Sequence, residues 1–205
     1  MPSQSLTTEI FVLTKRPPSD AFEMVTAFSA EHGNLAILQR LTRKPASALT
    51  LLDLFDEASV LLESSNQGQT WFLKEARLLT RPVEIGRSYD TLRFAAALTS
   101  LVARNPVHED SRRSVATLVR TALAAFATSS RPDVVYFKSL YRFARDEGYP
   151  LKEQWFPTLP ASDRAVVTML VNRPLAEQTT SAEPVARLLR RMEEYLKGHT
   201  EILVD

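Results

Sequence analysis

The chain has 205 residues, 44% hydrophobic and 24% charged, with no cysteine; its 25 Lys and Arg residues offset 24 Asp and Glu residues, leaving a formal net charge of +1. That is enough apolar material for one large core or two small ones, and the lack of cysteine excludes disulfides and thiolate metal sites. With charges so nearly balanced, any nucleic-acid surface has to be a local patch.

The first residues, MPSQSLTTEIFVL, show no basic segment followed by a sustained apolar run. No stretch approaches the roughly 20 apolar residues of a membrane span, so a soluble, cytoplasmic chain without membrane association is expected. Short β-like runs then alternate with turn formers. They cover 8–14 and 22–30, separated by Lys-Arg-Pro-Pro-Ser-Asp, and 35–41 after the turn His32-Gly33-Asn34. Leu54, Asp56, Ala58, Val60 and Leu62 alternate with their neighbours, Ser65-Asn66-Gln67-Gly68 makes a turn, and 70–78 contains Trp71, Phe72 and Leu73. Five short strands in this span predict a small closed barrel, and periodicity alone does not choose its type.

Past Pro82 the period becomes helical. Asp90 is placed to cap a helix through Ala103, with Phe94, Leu98, Leu101 and Val102 inward and Asn105-Pro106 as the stop. Val115, Leu118, Val119, Ala122, Leu123 and Phe126 form a wide apolar stripe. Pro132 and Asp133 open a further helix with Phe137, Leu140, Tyr141 and Ala144 on one face. Gly148 suits a left-handed end and Pro150 a stop. Thr180 and Glu183 have capping-box spacing ahead of Val185, Leu188, Leu189, Met192 and Leu196, and Gly198 supplies the end. Arg187, Arg190 and Arg191 lie outside that stripe and read as a solvated face balanced by Glu193 and Glu194.

The catalytic inventory is thin. His32, His108 and His199 are scattered, the five glycines form no phosphate-binding loop, and no serine sits in a nucleophile elbow. Asp56-Glu57 and Glu193-Glu194 are sequence neighbours, whose side chains diverge on a strand or a helix. No catalytic residue, metal site or cofactor is expected, and the chain reads as a non-enzyme.

The segment FKSLYRFARDEGYPLKEQWF, 137–156, resembles the helical domain of RecO, the recombination mediator of bacterial DNA repair. That family carries Leu-Gly-Tyr-x-Pro where this chain has Glu147-Gly148-Tyr149-Pro150-Leu151, without the spacer. Glu9-Ile10-Phe11-Val12-Leu13 is similar to the family's first strand, and Ala30-Glu31-His32-Gly33-Asn34-Leu35 to its segment ending Glu-x-Gly-Arg. Leu38 to Ser47, LQRLTRKPAS, is similar to its basic loop, with Gln39 where a glycine is usual. Many members place four zinc-binding cysteines after the Gly-Tyr-x-Pro segment, where this chain has Lys152-Glu153-Gln154-Trp155-Phe156. Trp155 and Phe156 either pack in place of the metal or leave Trp155 exposed as a stacking platform.

The resemblance implies an α+β fold: a five-stranded barrel of the oligonucleotide/oligosaccharide-binding (OB) type over 1–80, then an all-helical domain over 81–205. It implies binding of single-stranded and double-stranded DNA, strand annealing and loading of the recombinase, with RecR and the acidic C-terminal tail of single-stranded-DNA-binding protein as partners. Lys15, Arg16, Arg40, Arg43 and Lys44, in two loops at strand ends, are the candidate phosphate contacts. Leu140, Tyr141, Arg142 and Arg145 are the candidate tail contacts, in a groove that a neighbouring helix would have to complete. The alternative is a protein-interaction module that kept the fold with weak or no DNA binding, which the low net charge and the missing loop glycine favour.

Overall fold

Alternating β-branched and aromatic residues build β1 (Ser5–Lys15), β2 (Phe22–Ser29), β3 (Gly33–Arg40), β4 (Glu57–Ser65) and β5 (Thr70–Thr80) in the computed structural model, which describes residues 4–19, 21–41, 50–65 and 69–204. β1 pairs antiparallel with β2 and β4, β2 with β3, and β4 with β5. β3 and β5 run parallel through Ile37↔Trp71 and Leu38↔Phe72, so the order β1-β2-β3-β5-β4 returns to β1 and every strand has two partners. Ile10, Val12, Val25, Ala27, Ile37, Ala58, Val60 and Leu62 point inward from alternate positions, and Leu52 joins them from the β3–β4 connection.

Two local devices shape this sheet. At the β2–β3 turn the Ser29 hydroxyl accepts from the amides of Glu31 and His32, and Gly33 takes φ +70°. A Cβ there would also lie 3.2 Å from Arg112 Nε. The second device explains why β4 begins at Glu57, later than the alternation from Leu54 predicts. Residues 53–56 form a turn in which Phe55 is left-handed at φ +70°, and Asp56 is fully buried. The Asp56 carboxylate accepts from the Asp53 amide at 2.7 Å and from Arg81 Nε and Nη2 at 2.8 and 2.6 Å.

The chain divides into two compact units, Met1–Pro82 with Pro106–Ala116, and Val83–Asn105 with Thr117–Asp205. The second unit is helical. Its elements are α1 (Tyr89–Arg104), α2 (Arg112–Thr128, from Thr117 onward), α3 (Pro132–Asp146), α4 (Ala161–Asn172) and α5 (Ala182–His199). Ser88, not Asp90, caps α1, because Ser88 has the extended backbone and accepts from the Thr91 amide. Asn105 ends α1, and its side chain exchanges two bonds with the backbone of Leu203, which secures the C-terminal segment.

α3 is the centre of this unit. Val134, Val135, Tyr136, Phe137, Leu140, Phe143 and Ala144 are all buried, and the helix packs against α1, α4 and α5. Its end follows from two residues read in the sequence. Gly148 adopts φ +89°, its amide reaches the Arg145 carbonyl, and the Tyr149 amide reaches that of Ala144, the paired bonds of a Schellman motif. At α5 the expected capping box does not form: Ser181 is the cap residue, and the Thr180 carbonyl instead accepts from Arg131. Gly198 lies within the last turn of that helix rather than beyond it. Among the described residues, no helix is long and apolar enough to cross a membrane.

Candidate nucleic-acid surface and helical groove

The cations of the β-unit divide by environment. Lys15, the last residue of β1, places its ammonium 3.1 Å from both Glu23 and Asp53. Burial works to lower its pKa, but the hydrogen bonds and charges of Asp53 and Glu23 outweigh it and raise the group above the ordinary lysine value. Lys15 is therefore committed to closing this end of the sheet. The buried Gln39 belongs to the same network. Its amide donates to Glu23 and to the Leu52 carbonyl and accepts from the Leu52 amide at 2.9 Å, so it ties Leu52 to β3.

Arg16 and Arg40 are exposed, and among the described residues neither has an ion-pair partner. The Arg16 amide bonds to the Met24 carbonyl, and Phe22 pairs with Arg40 in register, so both arginines border the start of β2. Arg43 and Lys44 lie outside the described residues. On the outside of the sheet, Phe22, Met24, Leu38 and Phe72 are all partly exposed, and the rings of Phe22 and Phe72 lie 5.9 Å apart. This cluster was not legible in the sequence, because it depends on the parallel register that sets β5 beside β3.

In the helical unit, Leu140 is fully buried and takes part in the core, so it is not a contact residue as the sequence suggests. Tyr141, Arg142 and Arg145 do line one groove of about 200 Å³. The completing elements are now identified: Leu118, Thr121, Ala122 and Ala125 come from α2, Val171 from α4, and Leu175 follows it. Lys138 also lines the groove, but its ammonium is spent on the carbonyls of Leu170, Val171 and Arg173 at 3.0, 3.2 and 2.7 Å. Burial lowers its pKa. Arg145 lies 2.7 Å and Arg142 3.4 Å from Asp146, so both guanidiniums have an internal anion. Tyr141 is pushed above the ordinary tyrosine value by burial, with Arg145 opposing and Glu153 adding to the shift.

Two further features correct the sequence reading. Trp155 is 2% exposed, so the stacking-platform alternative is excluded and the ring packs in the core. Arg187 and Arg191 do not form a free solvated face. They meet the buried Asp163 of α4 at 2.9 and 3.2 Å, and Arg187 also pairs with Glu183. Among the described residues, no three His, Asp or Glu side chains converge as metal ligands. No protein-family model matches the chain, and the comparison with curated proteins returned no match.

Proposed function

We propose that this chain is a RecO-like DNA-binding recombination mediator of the cytoplasm, without catalytic activity of its own. Its β-unit would be an OB-type barrel. The observation that carries this reading is the strand circuit β1-β2-β3-β5-β4 with one parallel pair, β3–β5, followed in the chain by a helical unit. A five-stranded barrel of this type binds oligonucleotides over its β2–β3 side and adjoining loops. Arg40 at the end of β3 and Arg16 after β1 would contact phosphates there, with Arg43 and Lys44 next in the chain. Lys15 is the weakest of the five candidates, because its charge is already neutralised. By this reading the protein helps complementary strands anneal and loads recombinase together with RecR. The groove between α2, α3 and α4 would receive the acidic tail of single-stranded-DNA-binding protein through Tyr141, Arg142 and Arg145.

The internal pairing of Lys15 also favours the second reading, a RecO-fold interaction module with weak or no DNA binding. Fluorescence anisotropy of labelled single-stranded DNA at two salt concentrations separates the two. A phosphate-binding mediator must lose affinity steeply with salt, by about 0.7 in log–log slope for each phosphate contacted. Replacing Arg16 and Arg40 by Ala should then flatten the slope by roughly 1.4 units. A wild-type protein that binds no DNA at low salt leaves the interaction module as the function.

A further inference from the structure

Of the polar side chains that line the groove on α3, Thr121 donates to the Thr117 carbonyl, Ser139 to the Val135 carbonyl and Lys138 to three carbonyls. Arg142 and Arg145 are left to carry the charge that a partner would meet. Both are turned onto one carboxylate. Arg145 donates Nε and Nη2 to Asp146 Oδ1 at 3.0 and 2.7 Å, and Arg142 donates Nε to Oδ2 at 3.4 Å. The Asp146 side chain is 14% exposed, against 40% and 59% for Arg142 and Arg145. The helix itself has little use for an acid there. Asp146 is the last residue of α3, where the helix dipole disfavours negative charge, and a cation four residues ahead of a carboxylate is the weaker order of such a pair.

We propose that Asp146 is a resident competitor for the arginines of this groove, an internal carboxylate that an acidic peptide must displace in order to bind. This rests on the reading of the groove as the acceptor of an acidic tail. The exchange is of like for like, because Asp146 gives one oxygen to each arginine and so occupies the donors that a peptide carboxylate would need. Two arginines facing one carboxylate leave a single net positive charge, and without the carboxylate the pair would present both. A side chain fixed beside its partners also competes at high effective concentration. A lone carboxylate therefore gains little over Asp146, whereas a run of several can take both arginines at once. Asp146 in this way sets how acidic a peptide has to be.

Calorimetry on the full chain compares two synthetic peptides, a run of aspartates ending in phenylalanine and the same peptide with asparagine at each aspartate. Asp146→Asn, close in shape and uncharged, should bind the aspartate peptide about fivefold more tightly than wild type does, the strength of one partly exposed ion pair. It should bind the asparagine peptide no more tightly. Asp146→Glu restores the charge and should return the affinity toward that of wild type, which a merely structural role would not require. A measurement on the wild-type chain does not depend on how the variants fold. The Arg145 Nε–H resonance, identified by its loss in Arg145→Lys, should shift as the aspartate peptide replaces its acceptor. Equal affinity of wild type and Asp146→Asn for the aspartate peptide, an equal gain for both peptides, or an unmoved Arg145 resonance at saturation overturns the competitor while leaving the acidic-tail groove standing. Binding of the aspartate peptide by none of the chains overturns the groove reading, and the competitor with it.

Discussion

A carboxylate without solvent exposure is tolerated only when its charge and its lone pairs are both satisfied, and Asp56 meets that condition through Arg81 and the Asp53 amide. Truncation to Ala would leave the Asp53 amide without its acceptor and the Arg81 guanidinium with only the Leu51 carbonyl. Breaking a fully buried pair costs about 3–5 kcal/mol, while exposed pairs contribute about 0–1 kcal/mol. The Arg81 side chain is 37% exposed, so Asp56→Ala is expected to lower unfolding free energy by about 2–3 kcal/mol, read from the urea midpoint. Glu193 is the opposite case. Burial raises its carboxyl above the ordinary 4.5, with Lys197 and Arg93 opposing and Glu194 reinforcing. The native state then holds its proton more tightly than the unfolded chain, so this group's contribution is intact below pH 4.5 and is lost as pH rises through the raised native value. Glu193→Gln should accordingly be more stable than wild type at pH 7, with a lead that shrinks on acidification toward pH 4.5. A lead that does not change with pH would show that the buried charge is not its source.

At the scale of elements, legibility follows how local the determining contact is. The end of α3 depends on Gly148 and the residues beside it, and it could be read directly. Nothing lies within 4 Å of an added Cβ at Gly148, so Gly148→Ala tests backbone strain alone. The left-handed conformation at a residue with a Cβ costs about 1–2 kcal/mol. The variant should lose about that much, with Gly148→Asn losing less, both by thermal unfolding. The apolar stripes of α2 and α5 were equally local and all their expected positions are buried. α4 escaped notice because Pro160 gives it no side-chain cap and only Asp163, Val167 and Leu170 are buried along its 12 residues. The groove on α3 was half legible. Tyr141, Arg142 and Arg145 were candidates through the family resemblance, but its other wall required α2 and α4 to be placed in space.

At the scale of the whole molecule, the least legible features are those joined over long stretches of chain, and the same separation should govern the order of folding. Closing the sheet pairs Ser5 with Glu63 and Ile37 with Trp71, whereas each helix of the helical unit forms its own ladder before packing as α1–α3, α3–α4, α3–α5 and α4–α5. Loops must be closed before distant strand pairs are rewarded, so sheets with such topology fold more slowly than helical units of similar stability. The two tryptophans allow the difference to be observed, because Trp71 packs against the core of the β-unit and Trp155 is buried in the helical unit. Trp155→Phe leaves a chain that reports on the sheet, and Trp71→Phe leaves one that reports on the helices. In stopped-flow refolding from urea, the Trp71 signal is expected to recover in a slower phase than the Trp155 signal. Asp56→Ala should alter only the slower phase or its unfolding limb, and Gly148→Ala only the faster. One phase shared by both tryptophans and moved by both substitutions would mean that the chain folds as a single cooperative body.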